Sequence, residues 1–499
     1  MKNFFHFLII FLFAGAVALA LRLPQLGNRP LHGDEANQMV RTDVLVETGR
    51  YEYDPLDHHG PVLYYAAAPI VRCFGGPSAV HSEIWMYRIV PVLFAILSIL
   101  LINGLGIWKQ NGMFAGVRSV LFAGLFTATS PVMVYYSRYF IQETLLCFFL
   151  LGMGVALRYY AFWPSWRSAL MFGVCAGCAL ASKETAVMAF AGMAVAGWWA
   201  FGAHRVWLYW QTKHVLIALL MFVVTAVLWF TSFLTYPEGL SAACFHGVSA
   251  YADKALDGSE HAHPWWWYGQ ILFYFKYGKG PVWSEALVLV PAFFAVYAGF
   301  RKNGVRALRF LTIYTVLLAA FYCAIPYKTP WCVMSVWGGV LLLAGAGVGS
   351  LWMDLKKFPN FRVTRTLLLL GMLWLLALQT LQAVRASYRM PSDPRNPYVY
   401  AHTAQDALDM IAYIRKRTGT GLAAFALPPS DTWPMPWYLK DIKAGYWTAL
   451  DQIPAGTRPR VLVVPGATEE LPKRFGTPVS SRFFAVRPGV LVSVVTFQD

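Results

Sequence analysis

The sequence predicts an α-helical polytopic membrane protein with a small C-terminal α/β domain, and three observations carry that expectation. Of its 499 residues, 58% are hydrophobic and only 13% are charged, where a soluble domain carries about 25% charged residues. Apolar stretches recur along the first four-fifths of the chain, about eleven of them long enough to cross a bilayer at roughly 20 residues each. From about Ser387 the composition turns polar and strand-like.

The stretches begin near Phe4, Tyr87, Phe114, Ile141, Ser168, Ala186, Val215, Val282, Phe310, Cys332 and Thr366, those near 168 and 186 being short and rich in Gly and Ala. The first is read as a retained span, because its apolar run is long for a signal peptide and Leu21-Arg22-Leu23-Pro24 follows in place of a small-residue cleavage site. Between the first two spans lies a long loop, residues 22–86, whose apolar piece Val62–Phe74 is too short to span and reads as an interfacial helix. A second long loop, residues 236–281, carries the aromatic cluster Pro264-Trp265-Trp266-Trp267-Tyr268, suited to headgroup level.

Basic residues set the expected topology, since short cytoplasmic loops collect Lys and Arg. With the N-terminus inside, the cytoplasmic loops hold Lys109, Arg167, Arg205, Lys213, Arg301, Lys302, Arg306, Arg309, Lys356, Lys357, Arg362 and Arg365. This accounts for much of the formal charge of +16 without a nucleic-acid partner. The opposite loops hold few cations, chiefly Arg138, Lys183 and Lys328. Cys175 and Cys178 form a CxxC inside a hydrophobic segment with no second pair nearby, which reads as small core residues rather than a metal or redox pair.

Two domains follow: residues 1–386 in the membrane with the loop 22–86, and an extracytoplasmic α/β domain over 387–499. The second opens on the linker Pro391-Ser392-Asp393-Pro394-Arg395-Asn396-Pro397, continues into an amphipathic helix over 404–418, and has strand-like runs at 422–426, 461–464 and 490–495.

Ionisable residues gather at one membrane face, where such groups are rare and often functional. Asp34-Glu35 stands just past the first span. A carboxylate there suits a general base, while two adjacent acids alone are equally an acidic turn. Tyr136-Ser137-Arg138-Tyr139 with Glu143 joins the third and fourth spans, Lys183-Glu184 the fifth and sixth, and Tyr327-Lys328-Thr329-Pro330-Trp331 lies in a later outer loop. Singly, each cation is an ordinary interfacial anchor. Together they suit a phosphate, and at this depth a lipid phosphate.

The ordered set His32-Gly33-Asp34-Glu35, Tyr53-Asp54-Pro55, His59-Gly60-Pro61-Val62-Leu63-Tyr64, Tyr136-Ser137-Arg138-Tyr139, Glu143, Lys183-Glu184, Pro264-Trp265-Trp266, Lys328-Thr329-Pro330-Trp331 and Trp433-Pro434-Met435-Pro436-Trp437-Tyr438-Leu439 extends through nearly the whole chain. It resembles the polytopic glycosyltransferases of the GT-C type, in the protein O-mannosyltransferase and aminoarabinose-transferase superfamily, and most closely the flippase activity-associated proteins. The resemblance implies inverting transfer of a sugar from a polyprenyl-phosphate donor to a protein, glycan or lipid acceptor, by an integral protein of the cytoplasmic membrane working on its extracytoplasmic face. It implies Asp34 as general base, with Glu35 orienting the acceptor or the base. Arg138, Lys183 and Lys328 would bind the donor phosphate, with His59, Glu143, Glu184 and Trp331 around them. An inverting displacement with a phosphate leaving group needs no metal, and no cofactor is expected, although oligosaccharyltransferases of this fold class use a divalent ion and the Asp/Glu/His set leaves one open. A flippase or flippase accessory for lipid-linked sugars is the alternative. A transporter would show charges buried mid-span and inverted repeats, and neither stands out. A non-catalytic scaffold is a third reading, against which the intact Asp34-Glu35 and Arg138 argue.

Overall fold

The computed structural model describes residues 2–105, 117–202, 211–247, 249–250, 253, 261–467, 471 and 475–497, with side chains from Leu12 onward. Lys109, Arg205 and the start of the third predicted span near Phe114 lie outside these residues.

Each of the eleven apolar stretches contains a helix. They are α1 (Lys2–Arg22), α4 (Ile84–Gly104), α5 (Val117–Thr129), α7 (Glu143–Phe162), α8 (Trp166–Leu180), α9 (Ala186–Phe201), α10 (Thr212–Phe230), α12 (Leu289–Phe300), α13 (Arg306–Ala324), α14 (Met334–Asp354) and α15 (Phe361–Val384). Among the described residues, six helical stretches are long and apolar enough to cross a membrane, and six more, the loop helix Val62–Gly75 among them, are apolar but shorter. The protein is an integral membrane protein.

Helices in lipid gain little from the hydrophobic effect against one another, so close backbone approach at small residues decides their packing. α14 lies against α5 and α12. A Cβ on Gly347 would stand 1.8 Å from the Pro291 carbonyl oxygen and one on Gly345 2.4 Å from the Ala123 nitrogen. Gly173 and Gly177 do the same for α8 against α10. The Gly/Ala-rich composition that made the segment near 168 a weak apolar run is therefore what lets it pack.

The loop 22–86 is ordered by two helices, α2 (Gly33–Thr48) and α3 (Val62–Gly75), the latter matching the apolar piece expected to lie at the interface. α3 packs on both α2 and α4. Shorter pieces complete the site side: α6 (Pro131–Tyr136) before α7, and α11 (Trp267–Phe273) in the second long loop.

Past α15 the chain forms a five-stranded sheet, β1 (Ala423–Ala426), β2 (Ala444–Trp447), β3 (Val461–Pro465), β4 (Pro478–Arg487) and β5 (Val490–Phe497), in the order β2-β1-β3-β5-β4. β1 runs parallel to β2 and β3, while β5 is antiparallel to β3 and β4. α16 (Asp406–Thr418) buries Ala407, Met410, Ile411 and Ile414 on one face of this sheet. The helix and three strands were expected; β2 and β4 were not.

Candidate active site

The site begins with a helix cap. His32 precedes α2, its Nδ1 accepts the Asp34 N–H at 3.1 Å, and the Glu35 carboxylate accepts the His32 N–H at 3.2 Å. This reciprocal arrangement satisfies two of the amides that a helix start leaves open. Successive helical residues point about 100° apart, so Asp34 and Glu35 face different surroundings.

Glu35 turns inward and has no exposed surface. It takes Arg88 Nε and a terminal Arg88 nitrogen at 2.8 Å each, Arg29 at 3.4 Å and the Phe140 N–H at 2.9 Å. Burial pushes its carboxyl up, but Arg88 and then Arg29 overcome that and hold it down at about 2. Contact with an acceptor is closed to Glu35 by burial; what it orients is the helix. Asp34 faces outward, its side chain 55% exposed.

The Tyr327 hydroxyl lies within electrostatic reach of Asp34, Cys332, Lys183 and Tyr400, and burial with the Asp34 charge pushes it above its ordinary range. Asp34 and Lys183 each act electrostatically on Tyr327, although the three are far apart in sequence. Trp331 is buried with its ring edge-on to His32, centroids 5.4 Å apart. Around Tyr400, His261 Nδ1 and His263 Nε2 stand 2.6 and 3.2 Å from its hydroxyl, and His263 stacks on Trp267 at 4.1 Å.

The predicted cations differ in how far they are committed. Lys183 is buried in an ion pair with Glu143, its ammonium 3.7 Å from Cys332 Sγ. Arg138 donates to the carbonyls of Arg22 (2.6 Å), Pro24 (2.8 Å) and Gln25 (3.3 Å) and to the Tyr388 hydroxyl (2.8 Å), so its terminal nitrogens fix the chain as it leaves α1. The Lys328 ammonium donates to the carbonyls of His263, at 3.0 Å, and Ile325. His59 is the most open of the set apart from Asp34, its side chain 33% exposed. Its Nδ1 meets Glu184 at 2.9 Å, and Tyr53 donates to the same carboxylate at 2.9 Å. Gly60 makes this possible: a Cβ there would stand 2.2 Å from the Ala181 carbonyl oxygen, so only glycine lets the His59 loop close on the Lys183-Glu184 turn.

Among the described residues, no three His, Cys, Asp or Glu side chains form a group able to hold a metal ion. Glu35, Glu143 and Glu184 are already paired with arginine, lysine and histidine.

Sequence reasoning passed over Arg29, Arg88 and Tyr400, and quoted Tyr327 without giving it a role. Arg29 stacks 3.4 Å over the Tyr139 ring while bonding Glu35, and Arg88 sits at the start of α4. Two arginines flanking the loop that bears an acidic pair were the available signal for a buried carboxylate.

No protein-family profile matches the chain, and no curated protein does. Solved structures do: the fold is that of the GT-C polytopic membrane glycosyltransferases. ArnT from Cupriavidus metallidurans bound to undecaprenyl phosphate superposes with a TM-score of 0.65 at 14% identity, over 99% of this chain and 98% of that one. The archaeal oligosaccharyltransferase AglB from Archaeoglobus fulgidus, in complex with an inhibitory peptide and a dolichol-phosphate, gives 0.51 at 12% identity, over 88% and 60%. The arabinofuranosyltransferase AftD from Mycobacteria gives 0.50 at 13% identity, over 98% and 40%.

Proposed function

We propose that this protein is a glycosyltransferase that moves a sugar from a polyprenyl-phosphate donor to an acceptor at the extracytoplasmic face, with inversion at the anomeric carbon. The observation that carries the reading is the division of labour within Asp34-Glu35: one carboxylate is locked by two arginines, and its neighbour is left open at a capped helix start. Two of the proteins that share the fold are named with lipid phosphates, undecaprenyl phosphate for ArnT and dolichol-phosphate for AglB.

In the proposed reaction Asp34 accepts the proton of the acceptor hydroxyl or amine. The freed electron pair forms the new bond to the anomeric carbon as the bond from that carbon to the phosphate oxygen breaks, and polyprenyl phosphate leaves with that electron pair. The capped N-terminus of α2 favours a carboxylate at this position. His59, with Nδ1 turned to Glu184 and no Nε2 partner among the described residues, presents Nε2 to the donor phosphate. Lys183 supplies positive charge where the leaving group develops negative charge, and Glu143 sets its place. Arg138 and Lys328 hold the loops around the site, and Trp331 with His32 forms a wall for the sugar. Orientation rests on the basic loops: Arg301, just past α12, pairs with Asp354 at the end of α14 at 3.2 Å, and Arg365 in the first turns of α15 stacks on Trp352 of α14, a clustering of cations that suits cytoplasmic loops.

The test is transfer from radiolabelled polyprenyl-phosphate sugars by the purified protein, with release of polyprenyl phosphate followed alongside product. Asp34→Asn is expected to lower kcat by about 10²–10⁴-fold, the usual contribution of a general base. Turnover surviving in Asp34→Asn would remove Asp34 as base, and no turnover by the wild type across a broad donor panel would overturn the reading.

A further inference from the structure

The three residues before Asp34 are held by the C-terminal tail. The Leu31 N–H donates to the Tyr438 hydroxyl at 2.9 Å, and the Leu31 carbonyl accepts from the Thr403 hydroxyl at 2.6 Å. His32 Nε2 lies 3.0 Å from the Tyr400 carbonyl. Gly33 faces Trp433, whose Cβ would be 3.4 Å from a Cβ built on the glycine. Further along the same helix, Asp43 takes the Lys440 ammonium at 3.0 Å, and that ammonium also donates to the Ala79 carbonyl and the Ser82 hydroxyl, at 2.8 and 2.6 Å. Trp433, Tyr438 and Lys440 all come from the aromatic-proline stretch or the residues just after it, so this part of the tail is a strut against the outer loop.

Both backbone groups of one residue are thereby fixed to the tail, three positions before the open carboxylate. On the other side of that carboxylate, Glu35 is fixed to Arg88 in the membrane bundle. Asp34 sits between a clamp from the tail and a clamp from the bundle, and its placement depends on the distance between the two. Docking alone would not require this: apolar burial of Trp437 against Tyr87, with centroids 6.0 Å apart, already joins the parts.

Resting on Asp34 as the base, we infer that the C-terminal domain is a working part of the transferase site, with Tyr438 and Thr403 as positioning residues that set where Asp34 meets the acceptor. Catalysis is steeply sensitive to such placement, an error of about 1 Å costing roughly 100-fold. Tyr438→Phe and Thr403→Val each delete one hydroxyl and keep the shape of the side chain.

In the full-length purified protein, each variant is expected to lower kcat about tenfold with donor KM within about twofold of wild type. Amide hydrogen exchange over residues 31–36 should accelerate while exchange in β3 and β5 stays unchanged. A kcat within about twofold of wild type despite faster exchange would overturn the positioning role, as would a kcat loss matched by an equal loss of folded protein. Exchange over 31–36 unchanged in both variants would overturn the clamp itself, even if the wild type transferred no sugar and the glycosyltransferase reading had fallen separately.

Discussion

Replacing Glu35 with Gln tests the central lock most directly. The substitution keeps the size of the side chain and removes its charge, leaving Arg29 and Arg88 buried with no counter-charge at this point. Two routes give the magnitude. Breaking a buried ion pair by removing one partner costs about 3–5 kcal/mol. The carboxyl is held at about 2 against an ordinary 4.5, which at ~1.4 kcal/mol per pH unit is about 3 kcal/mol of stabilisation. Because the folded value is depressed, that stabilisation is fully present above pH 4.5 and is lost as pH falls through about 2. A loss of about 3 kcal/mol corresponds to roughly a hundredfold larger opening equilibrium. The assay is amide hydrogen exchange in detergent over residues 36–48, with β3 and β5 as internal reference. Exchange in Glu35→Gln should be roughly a hundredfold faster than in wild type at neutral pH. Thermal midpoints followed down in pH should converge, since the wild type alone loses the carboxylate. Exchange within about threefold of wild type, or a midpoint gap that widens toward acid, would refute the assignment of Glu35 as the anchor of α2.

The buried pair beneath the site behaves differently from a single charge. Lys183→Met should destabilise the protein by about 3 kcal/mol by stranding Glu143, and Lys183→Met with Glu143→Gln should recover most of that loss, measured as thermal midpoints with bound lipid held constant. Gly60→Ala forces a Cβ to within 2.2 Å of the Ala181 carbonyl oxygen. Backbone must shift to relieve this, at about 1–3 kcal/mol, and the His59–Glu184 contact should loosen, seen as a raised donor KM with a smaller change in kcat.

The legible parts of this chain were those set by local composition. Apolar runs marked the helices of the bundle, and Val461–Val464 and Val490–Val495 marked central strands because both faces are buried over 461–464 and 492–495. β4 escaped because it is an edge strand whose Ser480, Ser481 and Arg482 keep it polar, and β2 because four half-buried residues, Ala-Gly-Tyr-Trp, carry no alternation. The motifs of the site were also visible, but not the state of each side chain. The terminal nitrogens of Arg138 answer backbone carbonyls of residues 22, 24 and 25, and the ammonium of Lys328 answers those of 263 and 325. A carbonyl acceptor leaves no trace in residue identity, so a cation committed to the backbone reads in sequence like one awaiting a ligand.

The adjacent acids show how register alone separates two equal-looking residues. A helix beginning at Gly33 turns about 100° between positions 34 and 35, so one carboxylate can face the bundle only if the other does not. The inward position needs the longer side chain, because it must reach Arg88 and also turn back to the His32 N–H. The outward position is served by the shorter one, whose fewer rotatable bonds leave less freedom to be lost when it engages an acceptor. Asp followed by Glu is therefore an ordered pair and not two copies of one function. The tail completes the same logic from the other side, since fixing Leu31 through both its backbone groups fixes where that register starts.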